Sequence, residues 1–122
     1  MYVPIYSEIY VINAKTKCLL TSTLSVRNTS RQDTLYVLHV DYFDSKGQIR
    51  KSYLEKPIQL YPLESIEFVV EYTEKEGGAG ANFIVTWGAS SSNLHPIIQA
   101  IMIGSTAAQQ GISFVTDGVD ID

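Results

Sequence analysis

Apolar and polar residues alternate along most of this chain with a period of two. Leu20, Leu24 and Val26 alternate with polar positions, and Ile66 and Phe68 repeat the pattern later in the chain. Successive side chains of a β-strand point to opposite faces, so this spacing predicts strands with one buried and one exposed face. Because the pattern returns in many short segments, it favours an all-β protein.

A β-hairpin is predicted in the first half of the chain. Residues 35–43 carry apolar side chains at positions of both faces, which is typical of a central strand covered on both sides. The sequence Asp44-Ser45-Lys46-Gly47 follows it. Aspartate opens turns by bonding nearby backbone, and glycine accepts a positive φ, so these residues predict the turn and 49–54 the returning strand.

Two prolines mark a change of direction after this hairpin. Pro57 and Pro62 flank the short apolar segment 58–61. Proline has no backbone N–H to donate within a sheet, so the segment is predicted to be an edge strand or a connection that crosses between sheets. A strand that changes sheets in this way favours Greek-key connections.

The second half of the chain supplies a tryptophan strand and an isoleucine-rich segment. Phe83, Val85 and Trp87 occupy alternate positions, and Trp87 is expected to be the largest buried side chain. Residues 96–104 fit either a helix beginning at Pro96 or a buried strand. The segment is short and dominated by isoleucine, so we predict the strand.

The predicted elements and the composition together indicate one fold class. Valine, isoleucine, threonine and the aromatic residues make up 45 of the 122 residues, and such side chains suit a pleated sheet. Turn signals recur about every 8–12 residues. We therefore predict a single domain over 1–122, an immunoglobulin-like, two-sheet antiparallel β-sandwich with seven to nine short strands.

Charge, hydropathy and cysteine content exclude several classes of protein. The net charge is −4 and the nine basic residues are scattered, which argues against nucleic-acid binding. No apolar run reaches 18 residues, so we expect no transmembrane segment in this chain. Cys18 is the sole cysteine, so no intrachain disulfide forms. No cofactor is predicted.

Candidate catalytic and metal-binding groups are few. His39 and Asp41 would share one face of a strand and could begin a metal site, but we expect them to be a polar pair at the margin of a sheet. Glu67 and Glu71 would lie about 13–14 Å apart along one strand, too far for paired-carboxylate chemistry. We predict no catalytic residue and no metal site; a small hydrolase using Glu64, Glu67 or Asp41 is the alternative.

The glycine-rich segment 77–82 is the candidate binding loop. It lacks the third glycine of a dinucleotide-binding motif, and a predicted strand follows it instead of a helix. Three glycines still allow a partner or small ligand to approach the backbone closely. The predicted binding residues are Glu71, Gly77, Gly78, Gly80 and Asn82.

Six stretches of the sequence carry a family resemblance, and they are 2–7, 24–29, 42–47, 62–71, 77–85 and 110–114. Together they resemble an uncharacterised bacterial family catalogued as domain of unknown function 3124, and the glycine-rich segment is the most specific part. The resemblance implies a bacterial protein that is often made with an export leader or a lipid-attachment signal, and it implies no activity. Residues 60–70 are also similar in layout to immunoglobulin-like adhesion and stress-protein sandwiches, which bears on the fold only.

Three functions follow as expectations. The first is a non-catalytic binding or structural sandwich of the bacterial cell envelope, periplasmic or lipid-anchored, with an unknown protein or glycan partner. The second is the small hydrolase. The third is an assembly module that joins a partner, or a second copy, through an exposed edge strand.

Overall fold

Ten strands form two antiparallel sheets in the computed structural model, which describes residues 1–11, 16–70, 78–105 and 111–121. They are β1 (Tyr2–Ile5), β2 (Glu8–Tyr10), β3 (Lys17–Arg27), β4 (Leu35–Phe43), β5 (Ile49–Ser52), β6 (Ile58–Leu60), β7 (Ser65–Val70), β8 (Ala81–Ala89), β9 (Ile97–Ser105) and β10 (Gly111–Asp117). No helix occurs in these ranges. The predicted all-β sandwich is confirmed, and the count exceeds seven to nine because strands of three residues leave no alternating pattern.

Each sheet has two short strands that lie end to end along one edge. Sheet I has the order β1-β8-β4, with β6 pairing to residues 35–37 of β4 and β5 to residues 41–43. Sheet II has the order β10-β9-β3, with β2 pairing to residues 17–19 of β3 and β7 to residues 22–27. The chain changes sheets between β6 and β7, as the flanking prolines predicted, and β6 lies at an edge.

The hydrophobic core lies between the two sheets and consists of side chains from alternate positions of the strands. Its largest fully buried members are Tyr42 and Phe83, whose ring centroids lie 5.2 Å apart. Tyr53, just after β5, contacts the ring of Phe83 at 5.4 Å and that of Phe68 at 5.7 Å. This aromatic cluster joins sheet I to sheet II through β7.

Strand β4 has the predicted bounds, but the prediction that both its faces are covered is wrong. The pairing of β4 with β8 shifts between Val37 and His39, where a β-bulge adds one residue. A one-residue insertion reverses which positions point inward. Val37 and Val40 are therefore both buried in the same core, while His39 is exposed on the outer face.

Trp87 is half-buried, so the expectation that it is the largest buried side chain is wrong. Phe83 and Val85, on the same strand, are fully buried. Trp87 pairs with Val37 immediately beside the bulge, at the end of β8, where it packs against the margin of the core. The alternation of the strand correctly predicted that Trp87 faces the core. Its position near the end of the strand, however, leaves part of the indole exposed.

The predicted hairpin and the strand predicted over residues 96–104 are both confirmed. Asp44 Oδ1 accepts hydrogen bonds from the N–H groups of Lys46 at 2.9 Å and Gln48 at 3.0 Å, and Gly47 has a φ of 77°. Residues 97–105 form a strand between β10 and β3, not a helix. Isoleucine suits this position because its branched side chain packs well on a pleated surface.

Candidate functional site

The predicted binding loop lies at the end of the sandwich that carries the β4–β5 turn. We call this end the hairpin end and define it by Ser7, residues 44–47 and residues 78–80. Gly78 and Gly80 lie there, directly before β8. Two of the predicted binding residues, Glu71 and Gly77, lie outside the described residues.

The backbone of the glycine loop is hydrogen-bonded to two serines. Gly80 N–H donates to Ser45 Oγ at 2.9 Å, and Gly78 O accepts from Ser7 N–H at 3.1 Å and from Ser7 Oγ at 2.8 Å. Gly78 has a φ of 77°, and a Cβ there would lie 2.5 Å from Ser45 Oγ. Glycine is needed at this position because a side chain would collide with Ser45. The group that approaches the glycine backbone closely is therefore the chain's own β4–β5 turn.

Asn82 occupies a different environment from the two glycines. It lies within β8 on the outer face of sheet I, opposite Pro4 on one side and Phe43 on the other. Only 8% of the residue is exposed. Asn82 therefore offers a partner little surface, whereas Ser45, Ala79 and Gly80 are exposed.

An open groove of about 560 Å³ lies on sheet II, where β3 begins and β9 ends. Its lining includes Cys18, which is buried and donates from Sγ to Ser105 O at 3.3 Å. Beside it, Lys17 Nζ lies 3.1 Å from a Glu8 carboxylate oxygen. That hydrogen bond and the negative charge of Glu8 raise the pKa of Lys17 above its usual value.

At the opposite end of the sandwich, Asn28 joins three segments of the chain. The residue is 2% exposed, and its Nδ2 donates to the carbonyl oxygens of Asp33 at 2.8 Å, Leu60 at 3.0 Å and Tyr61 at 3.1 Å. Its Oδ1 accepts from Ser30 N–H at 2.9 Å. Sequence reasoning missed this role; the only signal was an asparagine directly after a buried strand.

These contacts hold a tight turn between β6 and β7. Glu64 N–H donates to Tyr61 O at 3.0 Å, Tyr61 N–H donates to Glu64 Oε1 at 2.6 Å, and Leu63 N–H donates to Ser30 O at 3.1 Å. Leu63 has a φ of 66°. A left-handed conformation costs a residue with a Cβ about 1–2 kcal/mol.

The carboxylates considered for hydrolysis lie apart from one another. Asp41 lies on the outer face of sheet I, where it shares a face of β4 with His39, and Glu67 lies on the outer face of sheet II. Glu64 accepts the Tyr61 N–H at the opposite end from the hairpin end. In the described part of the chain, no three His, Cys, Asp or Glu side chains cluster so that they could hold a metal ion.

Comparison with protein-family models matches residues 1–121 to the family described as protein of unknown function (DUF3124). The chain belongs to this family. The resemblance carried by the six stretches is thereby confirmed, and it extends over nearly all of the DUF3124 chain. No curated protein and no solved structure matches. Family membership brings no activity with it, so the function has to be argued from the geometry.

The described ranges of the DUF3124 chain contain no helix with the length and hydropathy needed to cross a membrane.

Proposed function

We propose that this protein is a non-catalytic binding domain of the bacterial cell envelope, and that a protein or glycan partner contacts its hairpin end. The supporting observation is the fastening of the glycine loop to Ser7 and Ser45. Binding residues are often found on loops held by a rigid scaffold, because a loop that is already ordered loses less entropy on binding. The envelope location rests on the family resemblance.

The placement of the acidic residues favours binding over hydrolysis. Paired carboxylates that cleave a glycosidic bond lie about 5–9.5 Å apart. Asp41 and Glu67 point away from each other on two sheets whose mean planes are about 10 Å apart. Their carboxylates are therefore more than about 10 Å apart, which is beyond the range for this chemistry. Glu64 already uses one carboxylate oxygen to hold its own turn.

Removing the Ser45 hydroxyl tests the binding proposal. Ser45→Ala deletes the acceptor of the Gly80 N–H and loosens the loop, so we expect its affinity for wild-type hits on glycan and peptide arrays to fall by about 5–10-fold. Ser52→Ala, in the exposed strand of the same hairpin, is the matched control and should bind like the wild type. Equal binding by the wild type and Ser45→Ala, or arrays without hits, would contradict the proposal.

The edge of β10 supports a second candidate function, assembly with another copy of the chain. Between Gly111 and Thr116 this edge strand has neither a charged residue nor a proline. Gly118 N–H donates to Ile98 O, so by alternation the N–H groups of Ser113 and Val115 point away from β9. Among the described residues these outward groups have no partner, and such an edge is a template for strand pairing.

The other edges of the two sheets carry obstructions to pairing. Strand β2 has the charged residue Glu8, strand β5 has Arg50 and Lys51, and Pro57 precedes β6. In β1, Pro4 has no backbone N–H to donate, and the Pro4 carbonyl oxygen already accepts a hydrogen bond from Thr116 Oγ1 at 2.7 Å. In β7, Val69 O accepts from the Tyr53 hydroxyl at 3.3 Å. Assembly is therefore proposed through β10.

Sedimentation velocity at rising protein concentration tests assembly through β10. The wild type should form a dimer at high micromolar concentration, and Ser113→Pro, which deletes one outward N–H, should stay monomeric. Val115→Lys, which places a charge on the same edge, should also prevent the dimer while leaving the circular dichroism spectrum unchanged. A wild type that remains monomeric, or a dimer that both variants still form, would rule out this edge.

A further inference from the structure

The turn between β6 and β7 places a leucine where the backbone favours glycine. Its closing hydrogen bond runs from Glu64 N–H to Tyr61 O, with Pro62 in the second position and Leu63 in the third. This arrangement, with the φ of 66° at Leu63, is a type II turn, whose third position is usually glycine or asparagine. The chain therefore keeps a leucine at a position where its Cβ is unfavourable.

The leucine side chain contributes little to the packing of the turn. Leu63 is 65% exposed, and Tyr61 beside it is 59% exposed. The contacts that hold the turn are backbone groups and the side chains of Asn28 and Glu64, none of which involves the Leu63 side chain. Glycine would make the same backbone hydrogen bonds without strain, so folding alone does not explain the leucine.

The turn also has a backbone that hydrogen bonds hold in one arrangement. Asn28 holds it twice, by donating from Nδ2 to Tyr61 O at 3.1 Å and from its backbone N–H to Glu64 O at 2.9 Å. Ser30 O accepts from Leu63 N–H. Because the backbone of Tyr61 and Leu63 is already ordered, docking costs only the freedom of their side chains, which suits these residues to be interface anchors.

We propose that Tyr61 and Leu63 form a docking tip that inserts into an apolar pocket of a partner protein. A leucine has no hydrogen-bonding group for sugar hydroxyls, which argues against a glycan. An anionic bilayer surface is disfavoured because residues 61–64 contain Glu64 and no basic residue, in a chain of net charge −4. The tip lies at the opposite end from the hairpin end, so it is independent of the function proposed above.

Stability measurements on Leu63→Gly test whether the leucine is kept for a purpose other than folding. Glycine relieves the strain at a positive φ, so the thermal midpoint should be unchanged or raised, by up to about 3 °C. Leu60→Gly is the comparison, because Leu60 is 5% exposed and its replacement should lower the midpoint clearly. A lower midpoint for Leu63→Gly than for the wild type would make Leu63 a structural residue and overturn the proposal.

Photocrosslinking in the native bacterium tests the partner. The probe is the full chain with benzoylphenylalanine at position 63, and the control carries it at Ile49, which is 54% exposed on β5. We expect one discrete protein adduct from position 63 and not from position 49. Added wild-type protein should compete for that adduct at least about tenfold better than Leu63→Gly or Tyr61→Ala.

The competition separates the outcomes of that experiment. Loss of competition by both variants, with the adduct mapped to apolar residues of another protein, supports the docking tip. An absent adduct, equal competition by Leu63→Gly and the wild type, or an adduct only with lipid or with a second copy of this chain would overturn it. The hairpin-end variant Ser45→Ala should compete for the adduct like the wild type. Failure of the docking-tip proposal is therefore distinguishable from failure of the proposed binding function at the hairpin end.

Discussion

Replacing Phe83 with alanine should lower the free energy of unfolding by about 3–5 kcal/mol. Phe83 is fully buried in β8, and its ring contacts those of Tyr42 and Tyr53 at 5.2 and 5.4 Å. Alanine would leave a cavity between the two sheets that neighbouring side chains fill only partly. Urea unfolding followed by far-ultraviolet circular dichroism measures the change.

Trp87→Ala, on the same strand and the same face, is the matched comparison. Trp87 is half-buried at the margin of the core, so its replacement should cost about 1–2 kcal/mol even though more atoms are removed. A cost for Trp87→Ala equal to that for Phe83→Ala would mean that the indole is fully enclosed, and the burial described for both residues would be wrong.

Asn28→Ala should lower the free energy of unfolding by about 2–4 kcal/mol, since each buried polar group left without its partner costs about 1–3 kcal/mol and the substitution leaves more than one. The substitution removes the donor to three carbonyl oxygens, those of Asp33, Leu60 and Tyr61. The loop after β3 and the turn after β6 would lose the side-chain part of their connection and keep only backbone hydrogen bonds. The same urea unfolding measures the effect.

Two further variants isolate the role of the Asn28 amide donor. Asn28→Asp keeps the size of the side chain and the acceptor for Ser30 N–H but loses the donors, so it should cost at least as much as alanine. Asn93→Ala, at an exposed asparagine at the same end, should stay within about 0.5 kcal/mol of the wild type. A loss below about 1 kcal/mol for both Asn28 variants would show that this network does not hold the turn.

Local signals were sufficient for the longer strands and the hairpin. The turn at 44–47 needs only an aspartate and a glycine at the right spacing, and both play the predicted roles. Strand β4 begins and ends where its apolar pattern does. The crossing between β6 and β7 followed from Pro57 and Pro62, because the missing N–H of proline is a property of the residue itself.

The candidate site was predicted only in part. The glycines at 78 and 80 predicted that another group approaches the backbone closely there, and the structure shows such an approach. Nothing in the sequence indicated that this group is Ser45. Asn82 was grouped with these glycines because it is close in sequence, but the pleat of β8 places it on the outer face of sheet I, where only 8% of the residue is exposed. The strained turn at Leu63 was not predicted, since the positive φ depends on contacts with residues 28–30.

The sequence by itself determined the all-β class, the main turns and the alternation of buried positions, because each depends on neighbouring residues and on the two-residue period of a strand. Tertiary structure decided the rest. The bulge opposite Trp87, the partial exposure of that indole and the bonds from Asn28 to carbonyls 32 and 33 positions away depend on how the strands pair and how the sheets pack. Contacts between residues distant in the chain leave no period in the sequence, so only the packed sheets reveal them.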